Sequence, residues 1–168
     1  MKTQCSSFDK SPRGVKLQHR IPSRLKNYDM SFVLDKLIAE HRIPAAKKNL
    51  LEREFKRFIA LVGIGVHPLA MIGPFVDEVW HQFILFTRQY KEFCDSTVGH
   101  FVSHQPDTPA TPVPQEAGEN FRSAYRHHFG RLPSIWFEGM NNETKRYYQQ
   151  PVLVGKPPTS WSGWAGPE

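Results

Sequence analysis

Apolar residues along this chain recur at the spacing of helices rather than at the spacing of strands. Intervals of three and four residues between apolar positions predict four helices and two shorter helical turns, which span residues 30–41, 45–62, 75–97 and 116–129, and then 134–137 and 143–149. No alternating run is long enough to predict a strand. We therefore expect an all-α fold, a compact bundle of about four helices.

The third predicted helix is the longest and carries the clearest buried face. Pro74 suits its first turn, and Gly99 suits the position just past its end. Six residues spaced by three or four positions form its apolar stripe: Val76, Trp80, Phe83, Thr87, Tyr90 and Cys94. We interpret Trp80 and Tyr90 as structural aromatics and Cys94 as a small buried hydrophobe. Gln82 lies off the stripe, so its replacement by alanine is expected to change stability little.

Composition divides the chain into three parts. Its length of 168 residues suits one domain, which we place at residues 27–150. A basic arm at residues 1–26, expected to be flexible, precedes the domain. A tail at residues 151–168 follows it, and its proline and glycine content predicts irregular structure. Within the domain, four prolines in residues 104–118 predict an extended loop.

Positive charge is concentrated at the start of the chain. Residues 1–30 hold seven Lys/Arg and two Asp, a balance of +5 within a net charge of +6. Such an arm is a solvated terminus, a binding segment for nucleic acid or another acidic partner, or a segment that docks on the domain itself. It lacks the interleaved aromatic residues of a platform that stacks bases, which favours the solvated terminus.

The remaining composition indicates a soluble cytoplasmic protein. No stretch is apolar for long enough to cross a membrane, and the first residues lack the apolar centre of a signal peptide. Two cysteines, Cys5 and Cys94, give no disulfide framework. We expect no membrane partner.

The candidate chemistry lies in and just after the third predicted helix. Asp77 and His81 are four residues apart, so their side chains meet on one helix face and are candidate metal ligands. The ten residue steps from Cys94 to His104 span about 33 Å when extended, which lets His104 return to His81. Cys94 is thirteen residues after His81, so a site that uses both needs a helix break that the sequence does not indicate.

Two alternatives to the site at Asp77, His81 and His104 stay open. One is a cluster of Cys94, His100 and His104 at the far end of the helix. The other involves His127 and His128, whose spacing gives no reason to choose them. A buried hydrogen-bonded pair of Asp77 and His81 without any metal is a further interpretation of the same pattern.

Familiar catalytic motifs are missing from the sequence, which contains no His-Glu-x-x-His, phosphate-binding glycine loop, Gly-x-Ser-x-Gly or Cys-x-x-Cys. The leading hypothesis is a small helical binding or accessory module with an unidentified protein partner. Its metal would be zinc or another divalent transition metal at Asp77, His81 and His104. The alternatives are a metal-dependent hydrolase that uses the same residues and a weak nucleic-acid binder that uses the basic arm. Whether the protein is an enzyme stays open.

The segment from residue 76 to residue 106 resembles the glycine-rich-domain-containing-protein-like family. The pattern consists of ten positions: Val76, Asp77, Trp80, His81, Tyr90, Cys94, Val98, Gly99, His104 and Pro106. Bacterial relatives tend to carry two histidines where this chain has Ser103 and His104, so only the second carries over. The glycine-rich tract of the plant members is absent. Because the family has no established reaction, the resemblance implies a structural unit rather than an activity.

Overall fold

The computed structural model describes residues 21–114 and 116–150, together with the backbone of a strand at 164–167. The described residues contain seven α-helices, α1 to α7: Ser23–Asn27, Ser31–Ala39, Lys48–Gly63, Pro74–Leu85, Thr87–Thr97, Ala117–Phe129 and Asn142–Gln149. They also contain two 3-10 helices, Ala45–Lys47 and Ser134–Phe137, and three strands, β1 to β3: Leu69–Ala70, Val102–Gln105 and Trp164–Pro167.

The fold is mainly α, as the hydrophobic periodicity predicts, but the prediction of about four helices is wrong. Three predicted helices correspond to α2, α3 and α6 with small shifts of their ends. The third predicted helix is two helices, α4 and α5. Helix α1 was not predicted, and α7 is a regular helix where we predicted a short turn.

Aromatic side chains from α3, α4 and α5 form the centre of the core. Phe55, Trp80, Phe83 and Phe93 are all fully buried. The Phe55 ring lies 6.3 Å from the Trp80 ring and 6.1 Å from the Phe83 ring, both edge-on. These contacts arise because the apolar stripes of the three helices face one another, and such aromatic pairs stabilise a core beyond the area they bury.

The prediction of one unbroken helix over residues 75–97 is wrong because the chain leaves the helical region at Phe86. This residue has φ −86° and ψ 60°, so α4 ends at Leu85 and α5 begins at Thr87. The Phe86 ring packs edge-on against Phe32 of α2 at 5.0 Å. A tertiary contact thus accompanies a break that neither glycine nor proline marks in the sequence.

Gln82 corrects a second expectation about this segment. Its side chain is 1% exposed rather than solvated. The Gln82 Oε1 accepts a hydrogen bond of 2.7 Å from the Arg42 guanidinium, which also pairs with Glu78. Replacement of Gln82 by alanine would remove a partly buried hydrogen bond, so we now expect it to destabilise the protein.

The three strands form one antiparallel sheet in the order β1, β3, β2. Strand β3 lies in the middle, with Ala165 opposite His104 of β2 and also opposite Leu69 of β1. Residues 164–167 therefore have regular structure, and the prediction of an irregular tail is wrong for them. The rest of the tail lies outside the described residues.

The first twenty residues of the basic arm also lie outside the described residues, whereas its last part is attached to the domain. Leu25 of α1 is 1% exposed. The Lys56 Nζ of α3 donates hydrogen bonds to the carbonyl oxygens of Lys26 and Tyr28, at 3.0 and 2.6 Å. In the described part of the chain, no helix is both long enough and apolar enough to span a bilayer.

Candidate metal centre

Asp77 and His81 share one face of α4, as their spacing predicts. Gly73 and Pro74 begin this helix, and the Asp77 amide donates to the Gly73 carbonyl at 2.8 Å. The Asp77 carboxylate therefore lies near the helix N-terminus, where the backbone dipole favours negative charge. The Asp77 Oδ2 is 3.6 Å from the His81 Nδ1.

His104 reaches the same carboxylate from strand β2. Its Nε2 lies 3.1 Å from the Asp77 Oδ1 and its side chain is 4% exposed. The two histidines thus approach different oxygens of one carboxylate, and their ring centroids are 4.5 Å apart. The structure brings together the three side chains that the sequence analysis singled out as ligands.

The spacing of these atoms suits a single metal ion. One ligand atom from each of Asp77, His81 and His104 lies within 4.8 Å of the other two. Ligand atoms about 2.0–2.1 Å from a tetrahedral zinc ion are about 3.3–3.4 Å apart. The distances of 3.1 and 3.6 Å to the two imidazoles involve different oxygens of Asp77, and the 4.8 Å limit for the whole group is wider than that value. The three side chains would therefore have to move closer together to surround one ion.

A buried network holds the strand that carries His104. The Trp80 Nε1 donates to the Tyr90 hydroxyl at 2.8 Å, and that hydroxyl donates to the Val102 carbonyl at 2.5 Å. The Trp80 and His104 rings also pack against each other in a T-shaped contact, with centroids 4.5 Å apart. Because Val102 precedes His104 by two residues on β2, both side chains lie on the same strand face. Trp80 and Tyr90 therefore position His104 in addition to filling the core.

Burial sets the electrostatics of the Asp77 carboxylate. Removal from water raises its pKa above the ordinary value, while the hydrogen bond with His104 and the nearby His81 oppose that rise. A divalent cation at this position would favour the charged carboxylate and offset its desolvation. The His81 side chain is 45% exposed, so one side of the cluster faces solvent.

The alternative clusters are not assembled in the structure. Cys94 is a fully buried free thiol whose pKa is raised by burial, and it interacts with Tyr90 and Val102 rather than with a histidine. His100 is exposed. His127 and His128 contact each other on α6, and neither belongs to a ligand group among the described residues. The break at Phe86 therefore does not bring Cys94 to His81.

A second buried carboxylate, Glu54 of α3, was missed from the sequence. It is fully buried, and the Tyr125 hydroxyl and the Trp136 Nε1 donate to its Oε2 at 2.5 and 2.9 Å. Arg53 and Arg57 donate to its Oε1. The sequence does indicate its burial, because Glu54 lies at helical spacing within the apolar face of α3. We interpret this cluster as structural since all its contacts are internal.

The chain belongs to the UCP032817-like family, whose model matches residues 21–147. This result corrects the resemblance to the glycine-rich-domain-containing-protein-like family. No curated protein and no solved structure matches the chain. The matched segment includes Asp77, His81 and His104 and leaves out most of the basic arm and the C-terminal strand.

Proposed function

We propose that this member of the UCP032817-like family is a helical binding module that holds one divalent transition-metal ion at Asp77, His81 and His104. One observation carries the proposal: three ligand atoms from a helix and a strand lie within 4.8 Å of one another. The Asp77 and His104 side chains are both nearly inaccessible to solvent, at 9% and 4% exposure. Two imidazoles and a carboxylate match zinc or a similar divalent transition metal.

A hydrogen-bonded pair alone accounts for only part of this arrangement. The contact between Asp77 and His104 ties α4 to β2 without any metal. The one-turn spacing already places His81 beside the carboxylate, but the hydrogen-bonded pair gives no role to the approach of His81 to the second imidazole. A metal ion accounts for all three contacts, because its positive charge is shared by three convergent lone-pair donors.

Elemental analysis of protein purified without a polyhistidine tag tests the proposal. We expect one zinc or similar ion per chain after zinc supplementation. His81→Ala and His104→Ala should each lose it, and Asp77→Asn should weaken binding about tenfold or more. His100→Ala is the matched control and should keep the metal, as should Cys94→Ser. A folded wild-type protein that neither retains nor takes up a divalent ion would overturn the proposal.

A second candidate function is metal-dependent hydrolysis at the same site. Catalytic zinc sites have three protein ligands and leave a position for water, and the ion lowers the pKa of that water to about 7. The exposure of His81 favours this reading because it gives solvent and a substrate access to one side of the cluster. Zinc-dependent cleavage of 4-nitrophenyl acetate or bis(4-nitrophenyl) phosphate that His104→Ala abolishes would support it. A metal-loaded protein inactive on both probes would favour the binding module.

The other parts of the hypothesis concern partners and location. Nucleic-acid binding by the basic arm is still a proposal, since its first twenty residues lie outside the described part of the chain. Deletion of residues 1–20 should abolish a weak affinity that falls steeply with salt, if the arm binds DNA or RNA. The buried free thiol of Cys94 fits a cytoplasmic location, which we also propose. An unidentified protein partner is part of the proposed binding role.

A further inference from the structure

A cleft between α6, the 3-10 helix Ser134–Phe137 and α7 has a basic lining. Its volume is about 450 Å³, and three arginines line it: Arg122, Arg126 and Arg131. Leu132, Pro133 and Phe137 add apolar surface, and no acidic residue belongs to the lining. The cleft therefore combines several cationic donors with an apolar wall.

Arg122 is held rigidly in this cleft. Its side chain is 2% exposed, and its guanidinium donates to the Glu119 Oε1 at 2.7 Å and to the Gln150 carbonyl. The guanidinium carbon also lies 5.6 Å from the centre of the Tyr148 ring. These contacts connect α6 to the end of α7. They fix one positive charge in the lining, and Glu119, which partly balances that charge, does not line the cleft.

Arg126 and Arg131 differ from Arg122 because no carboxylate of a described residue pairs with their charges. Both are exposed, and neither forms an ion pair with another described residue. Arg126 is one turn after Arg122 on α6. Gly130, with φ 86°, ends the helix in a conformation that suits glycine, and Arg131 follows directly. The two guanidiniums are therefore available to a ligand.

From this lining we propose that the cleft binds a small phosphate monoester. A phosphate monoester carries a charge of about −1.5 to −2 at neutral pH and three strong acceptor oxygens. Arginine guanidiniums match this geometry with paired N–H donors. Leu132, Pro133 and Phe137 provide an apolar surface for the organic group of the ester. The site is separate from Asp77, His81 and His104 and does not depend on the metal proposal.

Calorimetric titration of the full chain with phenyl phosphate tests this inference. We expect saturable binding that is tighter than the binding of inorganic phosphate, because phosphate alone lacks the apolar group. The double variant Arg126→Gln/Arg131→Gln should weaken phenyl phosphate binding at least about tenfold, since it removes two charge-assisted hydrogen-bonding partners. Arg88→Gln is the matched control, because Arg88 of α5 is also exposed and lies outside the cleft.

Two further experiments distinguish phosphate binding in this cleft from binding elsewhere on the protein. Protein treated with a chelator should bind phenyl phosphate as before, whereas loss of binding would place the anion at the metal centre and overturn the inference. Benzoate should bind at least several-fold more weakly than phenyl phosphate. Equal binding of benzoate, no saturable binding, or an equal loss in Arg88→Gln would each overturn the assignment.

Discussion

Replacement of Tyr90 by phenylalanine should destabilise the protein and loosen its candidate metal centre together. The Tyr90 hydroxyl accepts from the Trp80 indole and donates to the Val102 carbonyl. Tyr90 is 1% exposed, and Trp80 and Val102 are fully buried. Tyr90→Phe keeps the ring and removes only the oxygen, so the buried donor and acceptor both lose their partner.

The expected magnitude follows from these two unsatisfied groups. A buried polar group without a partner costs about 1–3 kcal/mol. We therefore expect the free energy of unfolding to fall by about 2–6 kcal/mol. Because Val102 is two residues before His104, the strand should also shift relative to Asp77. Metal affinity should then fall although Tyr90 is not a ligand.

Urea denaturation monitored by circular dichroism measures the first effect, and competition with a chromogenic zinc chelator measures the second. Tyr28→Phe is the matched control, because the Tyr28 hydroxyl donates one exposed hydrogen bond of 3.1 Å to the Gln89 carbonyl. Its cost should be below about 1 kcal/mol. If Tyr90→Phe and Tyr28→Phe had the same denaturation midpoint and slope, the network would not hold β2 and our account of the site would be wrong.

Three further predictions concern the core. Glu54→Leu should lower the free energy of unfolding by about 3–5 kcal/mol, because it leaves the buried Trp136 indole and its neighbouring donors without an acceptor. Urea denaturation measures this loss, and a near-neutral result would contradict the prediction. Gly73→Ala should cost about 1–3 kcal/mol, because the added Cβ would lie 2.7 Å from the Trp136 ring, whereas Gly63→Ala meets nothing nearer than 3.5 Å and should be tolerated. Burial raises the pKa of Tyr90, so above pH 10 the unfolded chain loses this proton while the native protein keeps it. Stability should therefore fall as pH rises above 10, by up to about 1.4 kcal/mol per pH unit, and less steeply in Tyr90→Phe.

The sequence was most informative where local geometry determines the outcome. A spacing of four residues places Asp77 and His81 on one helix face whatever the rest of the fold does. The reach of an extended chain allowed His104 to return to them, although chain length permits that contact without requiring it. Helices α2, α3 and α6 followed from hydrophobic periodicity for the same reason, because each buries one stripe against the core.

The features that the sequence did not reveal depend on distant partners. Gln82 looks like a surface residue by its spacing, yet Arg42 makes its burial possible by donating a hydrogen bond. Strand β3 has a composition that disfavours regular structure, and it is a strand because β1 and β2 offer their backbone groups on both sides. Glu54 lies in an apolar stripe, but only the folded chain brings Tyr125 and Trp136 to it.

The break at Phe86 is a feature that the sequence does not mark, and the candidate site depends on it. In an unbroken helix, Trp80 and Tyr90 would be separated by about 15 Å along the axis, on faces about 80° apart. Their hydrogen bond of 2.8 Å therefore depends on the change of direction between α4 and α5. That bond completes the network that holds β2, and β2 places His104 beside Asp77. The sequence indicates the three candidate ligands, while a helix break that it does not mark allows them to meet.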